Sequence, residues 1–398
     1  MKILIYAPNY YPATRYGGPI RSSHGLAAAL VRAGHGVQVF TTDVDGPDRL
    51  DVPLETPVLI DGVEVRYFPL AAPARIYHSP AMDRALADAA AGVDVIHTNG
   101  MFLLPGPRAA HHARRAGTPL VISPRGMLLP EMIAGKSALV KRAWISLLER
   151  RALSGAAAIH VTSEEEARGV RALGLDLAPL SVIGNGVDTP AAPPSAAGIE
   201  RLWGAAPKGR RVAFLARLDW TKGADLAVEA VTALPGAHLL LAGPDQIGLR
   251  ARLEDLASRA GAADRVRFAG QLDDAEKWAL LAGADVLVAP SVNESFGLAV
   301  AEAMAMGVSV VTSPGVGASD IVRRIEPDCV VERNVPDLTA AIGALLGDPA
   351  RRERFGKEAQ RVMRAEFGWD SIAGRMIALY EAAGGDEPRG IGRQGYST

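Results

Sequence analysis

Cysteine is all but missing from this chain: Cys329 is the single one in 398 residues. One thiol excludes an internal disulfide and any multi-cysteine metal site, so a reducing cytoplasm is the expected setting. Excess charge is missing as well. A formal net charge of -1 argues against general nucleic-acid binding. No charge-free apolar run approaches the roughly 18 residues that would read as a membrane span. The opening MKILIYAP holds one Lys and too short an apolar run for a signal peptide, and reads as a first strand. There is no heptad array and no internal repeat of about 20–50 residues. No G-x-G-x-x-G follows KILIYA or RVAFLA with an acid about 20 residues on, which ranks a nicotinamide oxidoreductase low.

What is present is the material of a large soluble α/β protein. Hydrophobic residues make up 48% and charged residues 22% of the chain, ordinary for globular domains, and the length fits two or three of them. Residues 1–185 carry 19 Lys+Arg against 16 Asp+Glu, and residues 186–398 carry 24 against 28, so the first half is mildly basic and the second mildly acidic. Apolar strand-like runs alternate with amphipathic helices throughout, the pattern of doubly wound parallel sheets. The first series is KILIYA (2–7), GVQVFTT (36–42), VEVRYF (63–68), VDVIHT (93–98), PLVIS (119–123), AAIHVT (157–162) and LSVI (180–183). A second begins with RVAFLA (211–216) and runs through AHLLLAG (237–243), RVRFAG (265–270), DVLVAP (285–290) and SVVTS (309–313) to CVVE (329–332). Between them GVDTPAAPPSAAG (186–198) lacks periodicity and reads as a linker. The expected domains are therefore 1–185 and 186–367, with a final helix at 368–384 and a disordered tail at 385–398.

Chemistry concentrates after two strands of the second half. In APSVNESFGLAVAEAMAMG (289–307), a buried strand gives way to an Ala/Leu/Met-rich helix that stops at Gly307. Glu294 falls in the loop and Glu302 one to two turns into the helix, at the carboxyl end of a parallel strand, where open α/β sheets bind ligands. A helix cap and a solvated face are the plain alternative on this stretch alone. Arg217 and Lys222 follow the first strand of the same half and precede another helix, and loop cations beside helix N-termini are the usual materials for holding a diphosphate. Gly297 has no side chain to block a phosphate from the second helix start.

Glu294 and Glu302 enclose seven residues, and this E-x7-E arrangement resembles the retaining glycosyltransferases of family 4, which use the GT-B fold. The resemblance spans nearly the whole chain: YGGPIR, HTNG, GNGVD, ARL…TKG, LLLAGP, FAGQL and PSVNESFGLAVAEAMAMG occur in order. It implies two Rossmann-like domains facing across a cleft, acceptor in the first and nucleotide-sugar donor in the second, with the helix at 368–384 crossing back onto the first. It also implies roles. Arg217 and Lys222 grip the leaving diphosphate, Glu294 contacts sugar hydroxyls beside the Phe296–Leu298 turn, and Glu302 accepts hydrogen bonds from the ribose. The base lies against FAGQL, at Gly270 and Leu272, where nothing selects uridine over guanosine. No cofactor and no metal are expected, since fixed cations can stabilise a departing diphosphate; the acids of LDD (272–274) match a variable position of the family.

On the first half, Gly17 and Gly18 allow close backbone approach, Gly18 to the donor and Gly17 to the acceptor, and Arg21 suits an anionic or hydroxylated acceptor. Family members often carry H-x-H where this chain has His97 and Asn99. The second histidine is the one usually credited with a contact to the transferred sugar, and Asn99 keeps hydrogen bonding without a proton-accepting role. His97 and Arg125 are expected on the acceptor side. Segment 135–153 is basic and amphipathic, with Lys136, Lys141, Arg142, Arg150 and Arg151 around Trp144, Ile145, Leu147 and Leu148. It suits an anionic membrane surface, on the inner face of the plasma membrane, and equally a packed helix with solvated charges. The expected activity is metal-independent, retaining transfer of a hexose from a UDP- or GDP-sugar to a glycan or lipid-linked acceptor in cell-surface polysaccharide synthesis. The alternative is a sugar-nucleotide 2-epimerase on the same fold.

Overall fold

A computed structural model describes residues 1–13, 15, 17–71, 76–135 and 137–385. Its strands are β1 (Lys2–Tyr6), β2 (Gly36–Thr42), β3 (Val44–Asp45), β4 (Asp48–Arg49), β5 (Pro57–Ile60), β6 (Val63–Phe68), β7 (Val95–Asn99), β8 (Leu120–Ser123), β9 (Ala158–Val161) and β10 (Leu180–Val182), then β11 (Arg211–Leu215), β12 (His238–Ala242), β13 (Val266–Gly270), β14 (Val286–Ala289) and β15 (Ser309–Thr312). They form an eight-stranded sheet ordered β10-β9-β8-β7-β1-β2-β6-β5 and a five-stranded sheet ordered β13-β12-β11-β14-β15, with β3 and β4 as a small ribbon. In both sheets the order reverses beside the first strand, β1 or β11, which opens a crevice at the carboxyl ends. Helices cover both faces, so central strands such as β8 and β9 are buried along their whole length.

The apolar runs of the sequence become the strands, with two differences. β5 pairs antiparallel with β6 as an edge hairpin, where Asp61 and Gly62 both take positive φ, 50° and 80°. Such Asp-Gly turns join tight hairpins. CVVE does not form a strand: Pro327–Cys329 is a short 3-10 turn, and Val330 makes an isolated bridge to Thr312. The linker stretch ends where Ser195 caps the helix Ala196–Trp203, its hydroxyl accepting from the Gly198 amide at 3.1 Å. The expected tail lies outside the described residues apart from Gly385.

Among the contacts that join the halves, three sets lie along the seam. The helix Trp369–Gly384 packs on the helix Gly18–Arg32. The Trp369 indole lies against Gly25 and Gly186, where an added Cβ would sit 2.1 Å from ring atoms, and its Nε1 donates to Asp188 Oδ1 at 2.6 Å. The Phe296 ring, 2% exposed, fills the seam against Gly184 and Phe367. Finally, the carbonyl oxygen of Ser295 accepts from both Thr162 Oγ1 (2.9 Å) and Ser163 Oγ (2.7 Å).

Candidate active site

The second-half wall is built on two turns. After β11 the chain passes Arg217 to the turn Trp220–Lys222 and enters the helix Ala224–Thr232 through Gly223 at φ 72°. A Cβ on Gly223 would stand 2.5 Å from the Pro290 carbonyl oxygen, so glycine lets this turn press against the one after β14. That contact brings Lys222 Nζ to 2.7 Å from Glu294 Oε1, with 16% and 28% of the two side chains exposed. Ser291 Oγ donates to the same oxygen at 3.3 Å. The Glu294 backbone is pinned on both sides, its amide donating to Gly315 O and its carbonyl accepting from the Gly317 amide. Burial works against the Asp219 carboxylate, but the Thr221 amide and hydroxyl, Arg217 and Lys222 together hold its pKa below the usual carboxylate value. Arg217 is exposed, and its Nη1 donates to Gln246 Oε1 at a long 3.4 Å.

Gly297, at φ 90°, starts the helix Leu298–Ala305. The first amides of a helix have no intrahelical acceptor and favour an anion. Glu294 and the Phe296–Leu298 turn therefore share one corner with Lys222. Since the Phe296 side chain turns into the seam, that residue offers the corner its backbone alone. Glu302 lies deeper. It pairs with Lys277, and the two side chains are 12% and 13% exposed. Desolvation raises the Glu302 pKa; Lys277 opposes the rise, Asp188 adds to it and Arg21 opposes it. Gly270, at φ 70°, gives its carbonyl to the Gly243 amide, and the space beside its Cα is open. Leu272 follows it, half-buried.

The first-half wall meets this corner. Gly17, at φ 75°, opens into free space, whereas a Cβ on Gly18 would come 2.8 Å from Leu298 Cδ1, so Gly18 lets the two helix starts face each other. Arg21 does not stand free for an acceptor: it pairs with Asp274 across the cleft. Arg125, at φ 55°, donates from Nε to Asn99 Oδ1 and from Nη1 to Asn185 Oδ1, each at 2.9 Å. Glu166, 1% exposed, accepts from the Gly126 amide (2.5 Å) and the Thr162 amide (2.8 Å), fixing the loops after β8 and β9; Thr162 Oγ1 lies 2.7 Å from Glu166 Oε2 as well, and its one hydrogen is shared between that oxygen and Ser295 O.

The expectation for His97 needs correction. Its ring is 0% exposed and both nitrogens are engaged, Nδ1 with Tyr380 Oη at 2.7 Å and Nε2 with Ser123 Oγ at 2.6 Å. An inward position on a sheet covered on both faces leaves it no path to an acceptor. In the segment after Ala134, Ile145 is buried and Trp144 half-buried, with its Nε1 donating to Glu149 Oε1 at 3.1 Å. Leu139, Val140, Leu147 and Leu148 are the apolar residues that face water there, and Lys136 lies outside the described residues. Of the acids in LDD, Asp273 closes a capping box with Glu276 and Asp274 holds Arg21. Among the described residues no three His, Cys, Asp or Glu side chains come together as a metal ligand set.

Sequence reasoning missed Lys277, Asn185, Thr162 and Ser295. GNGVD was legible as a motif, yet nothing in it tells Asn185 from its neighbours. Lys277 is one charged residue on the helix Asp274–Gly283 and carries no local mark at all.

Comparison with known proteins gives a consistent picture. Residues 200–362 match the model of the glycosyl transferases group 1, and residues 17–186 the glycosyl transferase 4-like domain. The chain is 31% identical over 386 residues to a D-inositol 3-phosphate glycosyltransferase of Xylanimonas cellulosilytica, covering 90% of each. Sucrose-phosphate synthase from Thermosynechococcus elongatus superposes with a TM-score of 0.74 at 25% identity, over 96% of this chain and 98% of that one. Anabaena HepE in complex with UDP gives 0.74 at 21% identity, over 96% and 100%.

Proposed function

This chain belongs to glycosyltransferase family 4 and has the GT-B fold, and on that premise we propose that it is a retaining hexosyltransferase using a nucleoside-diphosphate sugar and no metal. The observation that carries the reading is the corner where Lys222 holds Glu294 beside the helix start at Gly297. A diphosphate seated there meets the paired Lys222, the exposed Arg217 and the backbone amides of the helix start, which together stabilise charge as it develops on the leaving group. Glu294, an acceptor of hydrogen bonds, orients the sugar hydroxyls. Glu302, held in place by Lys277, suits the two hydroxyls of a ribose.

In the reaction we assign, the acceptor hydroxyl attacks the anomeric carbon from the face the diphosphate leaves. The bond from that carbon to the β-phosphate oxygen breaks, a new glycosidic bond forms, and the hydroxyl proton passes to the departing phosphate. The base, uridine or guanosine, lies against Gly270 and Leu272; the UDP-bound neighbour of the same fold supports a nucleoside-diphosphate donor. Asn99 and Arg125 line the acceptor side with Gly17. A thermal-shift panel of UDP-, GDP- and ADP-sugars identifies the donor, because a ligand of the native state raises stability by mass action. Proton NMR of the product then reads the anomeric configuration, and inversion would overturn the mechanism. Donor that equilibrates with no acceptor present would instead mark an epimerase.

The acceptor we propose is a glycan or lipid-linked glycan of cell-surface polysaccharide synthesis, met at an anionic membrane. Leu139 (80% exposed), Val140 (65%) and Leu147 (81%) crown the segment around the helix Ala138–Trp144. Arg142, Arg150 and Arg151 of the same segment are exposed, as are Arg114 and Arg115 on the helix Pro105–Ala116, which packs on Ile145–Glu149 and Arg150–Gly155. Apolar side chains rimmed by cations suit an anionic lipid surface. No helix of the described residues is long and apolar enough to cross a membrane. Co-sedimentation with phosphatidylglycerol vesicles, lost in Leu139→Glu/Leu147→Glu and absent with phosphatidylcholine, is the expected result.

A further inference from the structure

Two polar rungs cross the first sheet, one above the other. The lower is buried. Tyr380 Oη contacts His97 Nδ1 (2.7 Å), His97 Nε2 contacts Ser123 Oγ (2.6 Å), Ser123 Oγ contacts His160 Nδ1 (2.7 Å), and His160 Nε2 contacts Ile183 O (2.8 Å). The upper lies in the cleft, where Arg125 joins Asn99 and Asn185, and Thr162 reaches Ser295 O. Each upper residue stands two positions after a lower one: His97 and Asn99, Ser123 and Arg125, His160 and Thr162, Ile183 and Asn185. Asn99 closes β7, and Arg125, Thr162 and Asn185 stand just past the ends of β8, β9 and β10, so the upper rung follows the lower one toward the carboxyl edge of the sheet.

The direction of the lower rung follows from its end. A carbonyl oxygen accepts only, so His160 Nε2 carries a hydrogen. With both rings neutral, His160 Nδ1 accepts from the Ser123 hydroxyl, Ser123 accepts from His97 Nε2–H, and His97 Nδ1 accepts from the Tyr380 hydroxyl. Burial, and then the neighbouring ring and the Arg125 charge, hold His97 far below its usual pKa; burial, with Arg125, takes His160 to about 3. Burial also raises Tyr380, which keeps its proton. Every donor in the chain thus has one acceptor, and the first donor belongs to the helix Trp369–Gly384, at the far end of the sequence.

We infer that Tyr380, His97, Ser123 and His160 are positioning residues for the acceptor wall: the docked C-terminal helix, through a one-way buried rung, fixes the strand ends that present Asn99, Arg125 and Asn185. The inference rests on the acceptor-side reading given above, and it identifies work for the histidine that the cleft cannot use. Buried, fully paired networks of this kind specify one arrangement, and cutting one bond releases the rest.

The test uses the full chain labelled with ¹⁵N-histidine and ¹⁵N-arginine. In the wild type both rings should be neutral Nε2–H tautomers at neutral pH, and the Arg125 Nε–H should be protected from exchange. Tyr380→Phe removes the first donor and keeps the ring. It should speed Arg125 Nε–H exchange about tenfold or more and lower kcat/KM for the acceptor about ten- to a hundredfold, with free-nucleotide affinity unchanged. Met376→Leu, one turn away and equally buried, should leave the Arg125 signal as it is. Ser123→Ala cuts the rung from within the sheet and should reproduce the Arg125 effect should the helix variant fold poorly. An Nδ1–H tautomer on either ring, or Arg125 exchange indifferent to both cuts, overturns the inference, as does an Arg125 response with unaltered acceptor kinetics. A wild type that transfers no sugar while the rings and Arg125 behave as stated leaves the rung standing and removes the transferase reading.

Discussion

Replacing Lys277 by methionine keeps the aliphatic stem and deletes the cation beside Glu302. With 13% and 12% of the two side chains exposed, the survivor is a buried carboxylate without its partner, a change that costs about 3–5 kcal/mol when the charge has no escape. Glu302 has one, because it can take a proton. Its pKa already lies above 4.5 from desolvation, against the pull of Lys277 and Arg21, and losing Lys277 drives it higher. The sign follows. A carboxyl whose folded pKa exceeds the unfolded one keeps its proton in the native state after the unfolded chain has released it. Raising the pH through that window therefore destabilises the native state, by at most about 1.4 kcal/mol per pH unit. Below the unfolded value both states are protonated and the variant should lose little beyond a salt bridge. Between pH 6 and 8 its deficit should widen by about 1–3 kcal/mol. Urea unfolding of wild type, Lys277→Met, Glu302→Gln and the double variant at both pH values measures this, and the double variant should be flat. A deficit independent of pH, or a double variant as pH-sensitive as the single, would refute the reasoning.

Three further outcomes are expected. Glu294→Gln should keep the affinity for free nucleoside diphosphate and lose most transfer, since its proposed contact is with the sugar; isothermal titration beside initial rates checks it, and lost nucleotide affinity with intact turnover counts against the assignment. Lys222→Ala and Arg217→Ala should each cost about 2–4 kcal/mol of transition-state stabilisation, while wild-type activity survives excess EDTA; inhibition reversed by Mg²⁺ or Mn²⁺ would contradict the fixed-cation reading. Ending the chain before Trp369 removes the indole packed on Gly25 and Gly186 and the Tyr380 hydroxyl, so amide exchange in residues 1–185 should quicken although the proposed nucleotide contacts remain.

The strand runs, the wound alternation and the Glu294–Glu302 loop and helix were legible because each is written locally, in apolar period and stop signals. The edge strand Pro57–Ile60 is legible in principle through Asp61-Gly62, but its alternating, half-exposed pattern carries a weaker apolar signal than the buried runs. CVVE looked like a strand by composition; Pro327 starts a tight turn there instead. His97 was misplaced because a motif gives position in sequence and not the face of the sheet. Arg21, Lys277 and Asn185 find partners 253, 25 and 60 residues away, and no local pattern encodes such pairings. The same holds for Ser295, whose contribution is a backbone oxygen that any residue type would supply.

That oxygen has a thermodynamic consequence. Ser295 follows Glu294 directly, and its carbonyl is held by two hydroxyls of the opposite half, those of Thr162 and Ser163. The residue next to the proposed sugar-reading carboxylate is thus bonded to the half that carries the proposed acceptor wall. Whatever donor occupancy does to the geometry of that residue, it does to the strength of those two bonds, and acceptor occupancy acts on the same bonds from the other side. Two ligands that bias one shared contact must alter each other's affinity by an identical factor. Donor and acceptor would then load as a coupled pair, with a cooperativity that shrinks toward unity when Thr162 and Ser163 lose their hydroxyls.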